Sequence, residues 1–364
     1  MNKILIIGGG NGAFALAAHL TKLGANVNLT DVFPEYLEEL KCNGNSINLR
    51  INKEESIEKI SMVTSDIQKA LKEVKLIMVV TPSYTHKIIS KRIAPFLKDG
   101  QMILLNPGRT AGALEMFNNL RKFGSTANVI VGEAQTLIFS CRKLSKTSVE
   151  IYGIKDKVGI ASIPSEKSLD MVNELKPYYK QFYAEQNCLI TSFSNIGAIF
   201  HPAPLVFNIG RVESNEKYLF YKEGITPSIA KFLEKLDGER INTAKSFSVS
   251  VLSCIEWLKK IYFTTGNNLY ENLQNNQAYS QIYGPNSINV RYLTEEVPMS
   301  LVPISELANS IGIKTPMIDS IIEISSILLN KDFRKEGRNL NNLGLKGKNK
   351  MDIIKIFING DLKE

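Results

Sequence analysis

The run Arg291-Tyr292-Leu293-Thr294-Glu295-Glu296-Val297-Pro298 puts one guanidinium and two carboxylates on a short segment, and Leu301-Val302-Pro303 closes it with a second proline. Proline fixes the backbone, so these charges are held in place, and a fixed guanidinium suits a planar anion. Of the three histidines, His201 stands in the apolar stretch Gly197-Ala198-Ile199-Phe200-His201-Pro202. Imidazole titrates near neutral pH and is the usual proton carrier. A third element opens the chain, where Ile4-Leu5-Ile6-Ile7 runs into Gly8-Gly9-Gly10-Asn11-Gly12-Ala13 and then into a helical pattern over 14–23. A cofactor site, a proton carrier and an anion clamp together make a dehydrogenase.

The glycine run is G-x-G-x-x-A between strand and helix, the context that gives this otherwise weak motif its meaning. Gly8 permits a tight turn, Gly10 lets the backbone approach a pyrophosphate, and Ala13 allows close helix packing. Asn11 and Gly12 belong to the same glycine loop, which leads into the helix whose N-terminal N–H groups favour a phosphate. A glycine turn without ligand is the bland alternative. The next strand, 26–31, ends in Asp31, roughly 20 residues beyond the glycines, where an acid meets the adenosine ribose hydroxyls. Its charge repels a 2′-phosphate and no arginine follows in Val32-Phe33-Pro34-Glu35, so NADH is expected over NADPH. An ordinary exposed turn aspartate is the competing reading.

Strands at 75–81, 102–106 and 128–132 alternate with helices at 84–97 and 112–123, the pattern of a doubly wound parallel sheet with helices on both faces. Ligands of such sheets lie beyond the carboxyl ends of the strands. Those ends carry Thr81 and Pro82, Asn106 to Gly112, and Gly132 to Thr136. Thr81, Pro82 and Asn106 are therefore expected at the cofactor. A hairpin or meander is expected after Val149 through Ile163, a helix over 167–179 and a closing strand over 188–191. Beyond Ser192 helical patterns dominate, at 225–236, 241–264 and 315–329, with Thr315 a candidate N-cap before Pro316. The fold expected is thus α/β: a Rossmann-type domain at 1–191 followed by an all-α domain at 192–364.

Composition narrows the partners. At 364 residues the chain suits two domains, and 44% hydrophobic with 22% charged content describes a globular protein. No run of about 18 uninterrupted apolar residues appears and the N-terminus lacks a signal-like segment, so a cytoplasmic protein without membrane contact is expected. The net charge of +8 is carried by scattered lysines without interleaved aromatics, which excludes nucleic acid and suits anionic small molecules. Four cysteines with neither Cys-x-x-Cys spacing nor a histidine cluster give no metal site and no disulfide framework.

Several segments together resemble the opine dehydrogenase family, the octopine and nopaline dehydrogenase-like proteins. These are Arg291 to Pro298, with Glu296 where the family usually has aspartate; Asn195 to His201-Pro202; Asn106 to Glu115, with Ala111 replacing a glycine; Glu133 to Arg142; and Gly337 to Leu345. The resemblance covers essentially the whole chain. It implies that Thr136 and Cys141 line a substrate pocket, although Cys141 read alone is a buried structural thiol. It also raises His201 from a possible core residue to the proton donor, with Glu296 on its other ring nitrogen, Glu295 as a partial substitute, and Arg291 clamping an α-keto acid carboxylate. A solvated ion-pair group is the alternative for Arg291 and the glutamates. His19 and His86 read as packing or surface residues, His86 near enough to Thr81 to touch cofactor. The activity implied is condensation of an amino acid with an α-keto acid, pyruvate by family habit, and reduction of the imine by NADH. A simple keto acid or keto alcohol reductase of the ketopantoate or glycerol-3-phosphate dehydrogenase type, and a non-catalytic NADH-binding sensor, stay open, as does the oligomeric state, a homodimer included.

Overall fold

The computed structural model describes residues 3–360. The chain forms two compact units: one takes in the chain to Gly108, Gly112–Thr191 and Lys355 onward, the other Arg109–Ala111 and Ser192–Ile354. The boundary expected after residue 191 falls between Thr191 and Ser192, but each unit is not one segment, because 109–111 group with the second unit and residues from Lys355 with the first.

In the first unit, β1 (Lys3–Ile7), β2 (Asn26–Thr30), β6 (Val74–Val79), β7 (Met102–Leu105) and β8 (Ile130–Ala134) form a sheet ordered β12-β11-β8-β7-β6-β1-β2-β5, where β5 is Met62–Val63, β11 Val158–Ile163 and β12 Phe182–Ala184. Its central strands are near-continuous apolar runs, as strands buried on both faces require. The sheet is parallel except where β11 runs antiparallel to β8.

A second sheet, ordered β4-β3-β10-β9, is absent from the sequence reading. It joins the hairpin β3 (Ser46–Ile51) and β4 (Glu54–Lys59) to the hairpin β9 (Phe139–Ser145) and β10 (Ser148–Ile154) through a parallel β3/β10 pairing. The first hairpin turns at Asn52 and Lys53, both with positive φ, as a two-residue turn matched to strand twist demands. The expected meander over 149–163 is therefore divided between sheets: β10 pairs with β9, while β11 belongs to the main sheet. Helix α1 (Asn11–Lys22) packs against strands of both sheets. That explains why Ala13, Phe14, Ala15, Leu16, Ala17, Ala18 and Leu20 are all buried instead of forming one stripe. The helix expected over 84–97 is α2 (His86–Ile93) extended by 3-10 turns at Ser83–Thr85 and Ala94–Phe96, and that expected over 112–123 is α3 (Gly112–Lys122).

The segment expected as a closing strand at 188–191 is instead helix α4 (Cys188–Phe193), since a short apolar run does not by itself distinguish the two. It begins an apolar stretch, Cys188–Phe207, with the length and mean hydropathy (1.2) of a membrane span, of which 78% is buried in the protein.

The second unit is helical. After α5 (Gly197–Phe200) and α6 (Pro202–Phe207), one 20-residue helix, α7 (Pro227–Ser246), spans the end of one expected helix and the start of the next. Thr226 caps it, its side chain accepting from the Ile229 N–H. The break comes later, where Ser253 opens α8 (Cys254–Tyr262) with a capping box. The misreading has a physical source: Asp237 and Arg240 are buried on α7 as an ion pair at 2.5 Å, interrupting its apolar periodicity. The helical run α9 (Arg291–Thr294), a π-helical turn (Val297–Leu301) and α10 (Val302–Ser310) follows, then α11 (Pro316–Leu329). Thr315 is the N-cap residue of α11, with Pro316 following as expected, but its side chain makes no capping bond. Its hydroxyl donates to Asp319, and Glu239 of α7 accepts the Met317 and Ile318 N–H groups at 2.9 Å instead.

Candidate functional site

The glycine loop of the first unit has the form that a dinucleotide needs. Gly8 has φ +140°, and a Cβ there would come within 2.5 Å of the Val80 carbonyl oxygen, so only glycine turns the chain at the end of β1. A Cβ on Gly10 would meet nothing within 4 Å, so its outer face is open. Gly12 packs where a side chain would press on Leu137 and Val80, and Ala13 is fully buried. No side chain caps the N-terminus of α1, whose first N–H groups suit a phosphate. Asp31 ends β2 and accepts from the Phe33 N–H at 2.8 Å. Burial raises its carboxyl above the ordinary value, against the opposing pull of the Phe33 and Gly9 N–H groups. Thr81 and Pro82 follow β6, where the Thr85 hydroxyl donates to the Pro82 carbonyl at 2.7 Å and pairs with the Thr81 hydroxyl at 2.8 Å. Asn106 follows β7, donating to the Leu104 carbonyl while its buried Oδ1 has no partner among the described residues. A glycine cradle, an uncapped helix start and an orphaned acceptor fit a nicotinamide dinucleotide.

Two residues expected in the substrate pocket also lie in this unit. Thr136 is half-buried in the turn between β8 and β9, and Cys141 is half-buried on β9. Burial pushes the Cys141 thiol up to about 11 against the opposing charge of Lys155, so at neutral pH it is a thiol and not a nucleophile. Of the other histidines, His19 pairs with the Tyr179 hydroxyl at 3.1 Å and His86 is fully buried. Among the described residues no cluster of three or more His, Cys, Asp or Glu is placed to hold a metal ion.

The second unit gathers the charged cluster. His201 stands at the junction of α5 and α6, fixed by the following Pro202, and its Nδ1 lies 3.0 Å from Glu296 Oε1. The same oxygen lies 2.8 Å from the Arg109 guanidinium. Oε2 accepts from Ser300 at 2.9 Å and more loosely from Asn195 at 3.5 Å, and Asn195 also donates to Ser300 at 2.8 Å. Burial alone would raise the Glu296 carboxyl, but Arg109 and then the bond from His201 more than offset it and hold it below the usual carboxylate range. An ionised carboxylate only accepts, so Nδ1 carries the hydrogen and, in the neutral imidazole, Nε2 carries the lone pair. Tyr292 stacks on the imidazole, ring centres 4.4 Å apart and 5° from parallel.

Glutamate at 296 thus reaches His201 despite its extra methylene, and the room for it comes from Gly197. A Cβ there would lie 2.7 Å from Glu296 Oε1 and 3.1 Å from Arg109 NH1. Glu295 does not substitute for Glu296. It accepts from Arg291 at 2.7 Å (Nε) and 2.6 Å (NH2), and from Arg109 at 3.4 Å. Arg291 is 54% exposed while Glu295 is 1% exposed, so this pair runs from the surface inward.

Arg109 is the member that sequence reading passed over. It sits in the loop after Asn106-Pro107-Gly108 with φ +61°, and Ala111 has φ +60°, both left-handed conformations costly for side-chain residues. The loop is over-determined: the Thr110 N–H donates to Met299, its carbonyl accepts from buried Arg338 at 2.8 Å, and the Ala111 N–H donates to Ser192. Two adjacent buried carboxylates need more cation than one exposed Arg291, and that imbalance was the available signal.

The comparisons fall into line with this anatomy. The model of the NAD/NADP octopine/nopaline dehydrogenase alpha-helical domain matches residues 184–329, and that of the NAD-dependent glycerol-3-phosphate dehydrogenase N-terminus matches 3–116. An opine dehydrogenase of Arthrobacter sp. (strain 1C) is 38% identical over 342 residues, covering 94% of this chain and 95% of the relative. The chain belongs to the opine dehydrogenase family. It is accordingly an NAD(P)-dependent oxidoreductase. Among solved opine dehydrogenases, an octopine dehydrogenase in complex with NADH and agmatine matches with a TM-score of 0.85 at 20% identity, covering 100% of this chain and 99% of that one. A yersinopine dehydrogenase bound to NADP+ matches at 0.75 and 14% identity, covering 98% of each. The glycerol-3-phosphate dehydrogenase likeness is confined to the cofactor-binding part, and the helical part is of the opine dehydrogenase type.

Proposed function

We propose that this opine dehydrogenase condenses the amine of an amino acid with an α-keto acid, pyruvate in the first instance, and reduces the resulting imine. The relatives point to the substrates: solved octopine dehydrogenases hold NADH with L-arginine and NADH with pyruvate. The observation that carries the reading is the Glu296 Oε1 shared between His201 Nδ1 and Arg109, which leaves Nε2 as the proton-exchanging atom. Condensation of amine and ketone releases water. Bound NADH would supply the hydride for the imine carbon, and His201 as imidazolium would give its Nε2 proton to the imine nitrogen, keeping Nδ1–H on Glu296. Arg291 binds Glu295 through Nε and NH2, so its NH1/NH2 edge remains for the keto acid carboxylate. By the family likeness, Thr136 and Cys141 are substrate-pocket residues, Thr136 offering a hydroxyl for a carboxylate oxygen and Cys141 shaping the pocket.

For the cofactor we propose contacts from Gly8, Gly10, Asn11, Gly12 and Ala13 to the diphosphate, Asp31 to the adenosine ribose, and Thr81, Pro82 and Asn106 toward the nicotinamide end. Asp31 disfavours a 2′-phosphate, so NADH is the preferred reductant. The deciding experiment follows NADH loss at 340 nm over pairs of amino acids and keto acids, with mass spectrometry of the product. Turnover requiring both partners and a secondary-amine dicarboxylate product support the reading. Equal turnover by a keto acid alone would make the enzyme a simple keto acid reductase, and NADH binding without turnover on any pair would leave a sensor.

A further inference from the structure

Lys143 comes from β9 of the second sheet, outside the strand–loop–helix unit that carries the glycine motif, yet it ends at that motif. Its backbone N–H donates to the Asn11 side chain at 3.0 Å, its Nζ donates to the Gly9 carbonyl at 3.1 Å, and the ammonium lies 3.5 Å from the centre of the Phe14 ring on α1. The backbone anchor at Asn11 and the two ammonium contacts, to Gly9 and Phe14, thus hold one cation at the glycine loop, where Gly10 is open and the start of α1 uncapped. The ammonium is half-buried, and burial lowers its pKa against the opposing fields of Glu39 and Asp31. Glu39 is itself ion-paired with Lys146, and Asp31 is engaged with the Phe33 N–H. A carbonyl and an aromatic face are weak compensation for a partly desolvated charge, so the position makes physical sense when an anion arrives.

We propose that Lys143 is a cofactor-binding residue: the second sheet delivers its ammonium to the glycine loop, where it takes a diphosphate oxygen of the dinucleotide alongside the N–H groups of α1. The backbone of the loop supplies partial charges and Lys143 supplies a whole one. The diphosphate is common to NADH, NADPH and ADP, so the contact favours dinucleotides as a class and leaves discrimination between NADH and NADPH to Asp31. It also gives the second sheet a purpose beyond covering α1.

The inference rests on the glycine loop binding the dinucleotide, and the test separates the two. Dissociation constants for NADH, NADPH, ADP and adenosine are measured by fluorescence or calorimetry for wild type, Lys143→Gln and Lys143→Arg, with unfolding temperature recorded for each. Lys143→Gln keeps an N–H donor for the Gly9 carbonyl, so the loop retains its support if the charge is lost. The expected result is a loss of about tenfold for NADH, NADPH and ADP alike, little change for adenosine, and recovery to within about threefold in Lys143→Arg. Unchanged ADP affinity in Lys143→Gln overturns the proposal, as does a loss confined to NADPH, which would place the ammonium at the 2′-phosphate. If wild type binds none of the three diphosphates, the glycine-loop reading itself falls and the proposal with it.

Discussion

Around the glycine loop the surface offered to a ligand is largely backbone, open at Gly10 and shaped by residues adjacent in the chain. Around His201 it is side chain, with residues 109, 195, 201, 291, 295, 296 and 300 linked by ion pairs and hydrogen bonds from distant stretches. The first arrangement presents unbalanced positive potential; the second holds two guanidinium groups against two carboxylates before any substrate arrives. Apart from Lys143 and Asp31, a backbone cradle therefore tolerates side-chain changes, whereas in the balanced cluster a change at one charge is felt by its direct partners. This difference teaches where each site is fragile: the loop in its glycines, the cluster in its charges.

The sharpest break in that comparison is His201→Ala. It should lower kcat by about 10²–10⁴, the range for a lost general acid, and leave the NADH dissociation constant unchanged because the cradle belongs to the other unit. A parallel loss of NADH affinity would show that the two sites are not energetically separate.

Glu296→Gln keeps the size and removes the charge. Breaking a buried ion pair costs about 3–5 kcal/mol, here moderated because Arg109 retains Glu295, so the unfolding temperature should fall clearly at pH 7. The sign with pH follows from the depressed Glu296 carboxyl: the stability it confers is fully present above the unfolded value of about 4.3 and is lost as pH falls through the lower folded value. Thermal unfolding at pH 7 and pH 3 should show the gap between wild type and Glu296→Gln shrinking on acidification. A gap independent of pH would mean that the carboxylate is not held by charge.

A smaller effect is expected at the exposed end of the cluster. Arg291→Lys should raise the keto acid KM about tenfold with kcat and NADH binding little changed, through loss of a bidentate contact. An unaltered KM would make Arg291 merely the outer cap of Glu295. Least of all, Asp31→Ser should narrow the NADH over NADPH preference several-fold in paired titrations, and an unmoved ratio would assign the preference elsewhere.

Legibility in the sequence followed the same division. The strand, loop and first helix at residues 3–22 are consecutive, so their residue types alone announced them. His201 and Glu296 stood out as chemistry, but their 3.0 Å contact bridges 95 positions, and it was a family likeness that paired them. Arg109 lay in a strand-end segment marked for ligands, but its pairing was illegible, since its acidic partners lie about 186 residues on and its loop conformation is imposed by Arg338, Ser192 and Met299. The second sheet escaped because β4 is largely exposed, with the pattern Glu-Glu-Ser-Ile-Glu-Lys, and carries too few apolar residues to show an alternation.

Gly197 gives the departure from the family's usual aspartate a cost. The space that a methyl at 197 would need is the space the glutamate's carboxyl group occupies, so the two positions cannot be varied independently. On the present background Gly197→Ala pushes Glu296 off His201 or Arg109; with aspartate at 296 the shorter arm withdraws and the same methyl becomes far less costly. The longer acid thus ties residue 197 to glycine: a methyl is admitted there only if the side chain at 296 gives way.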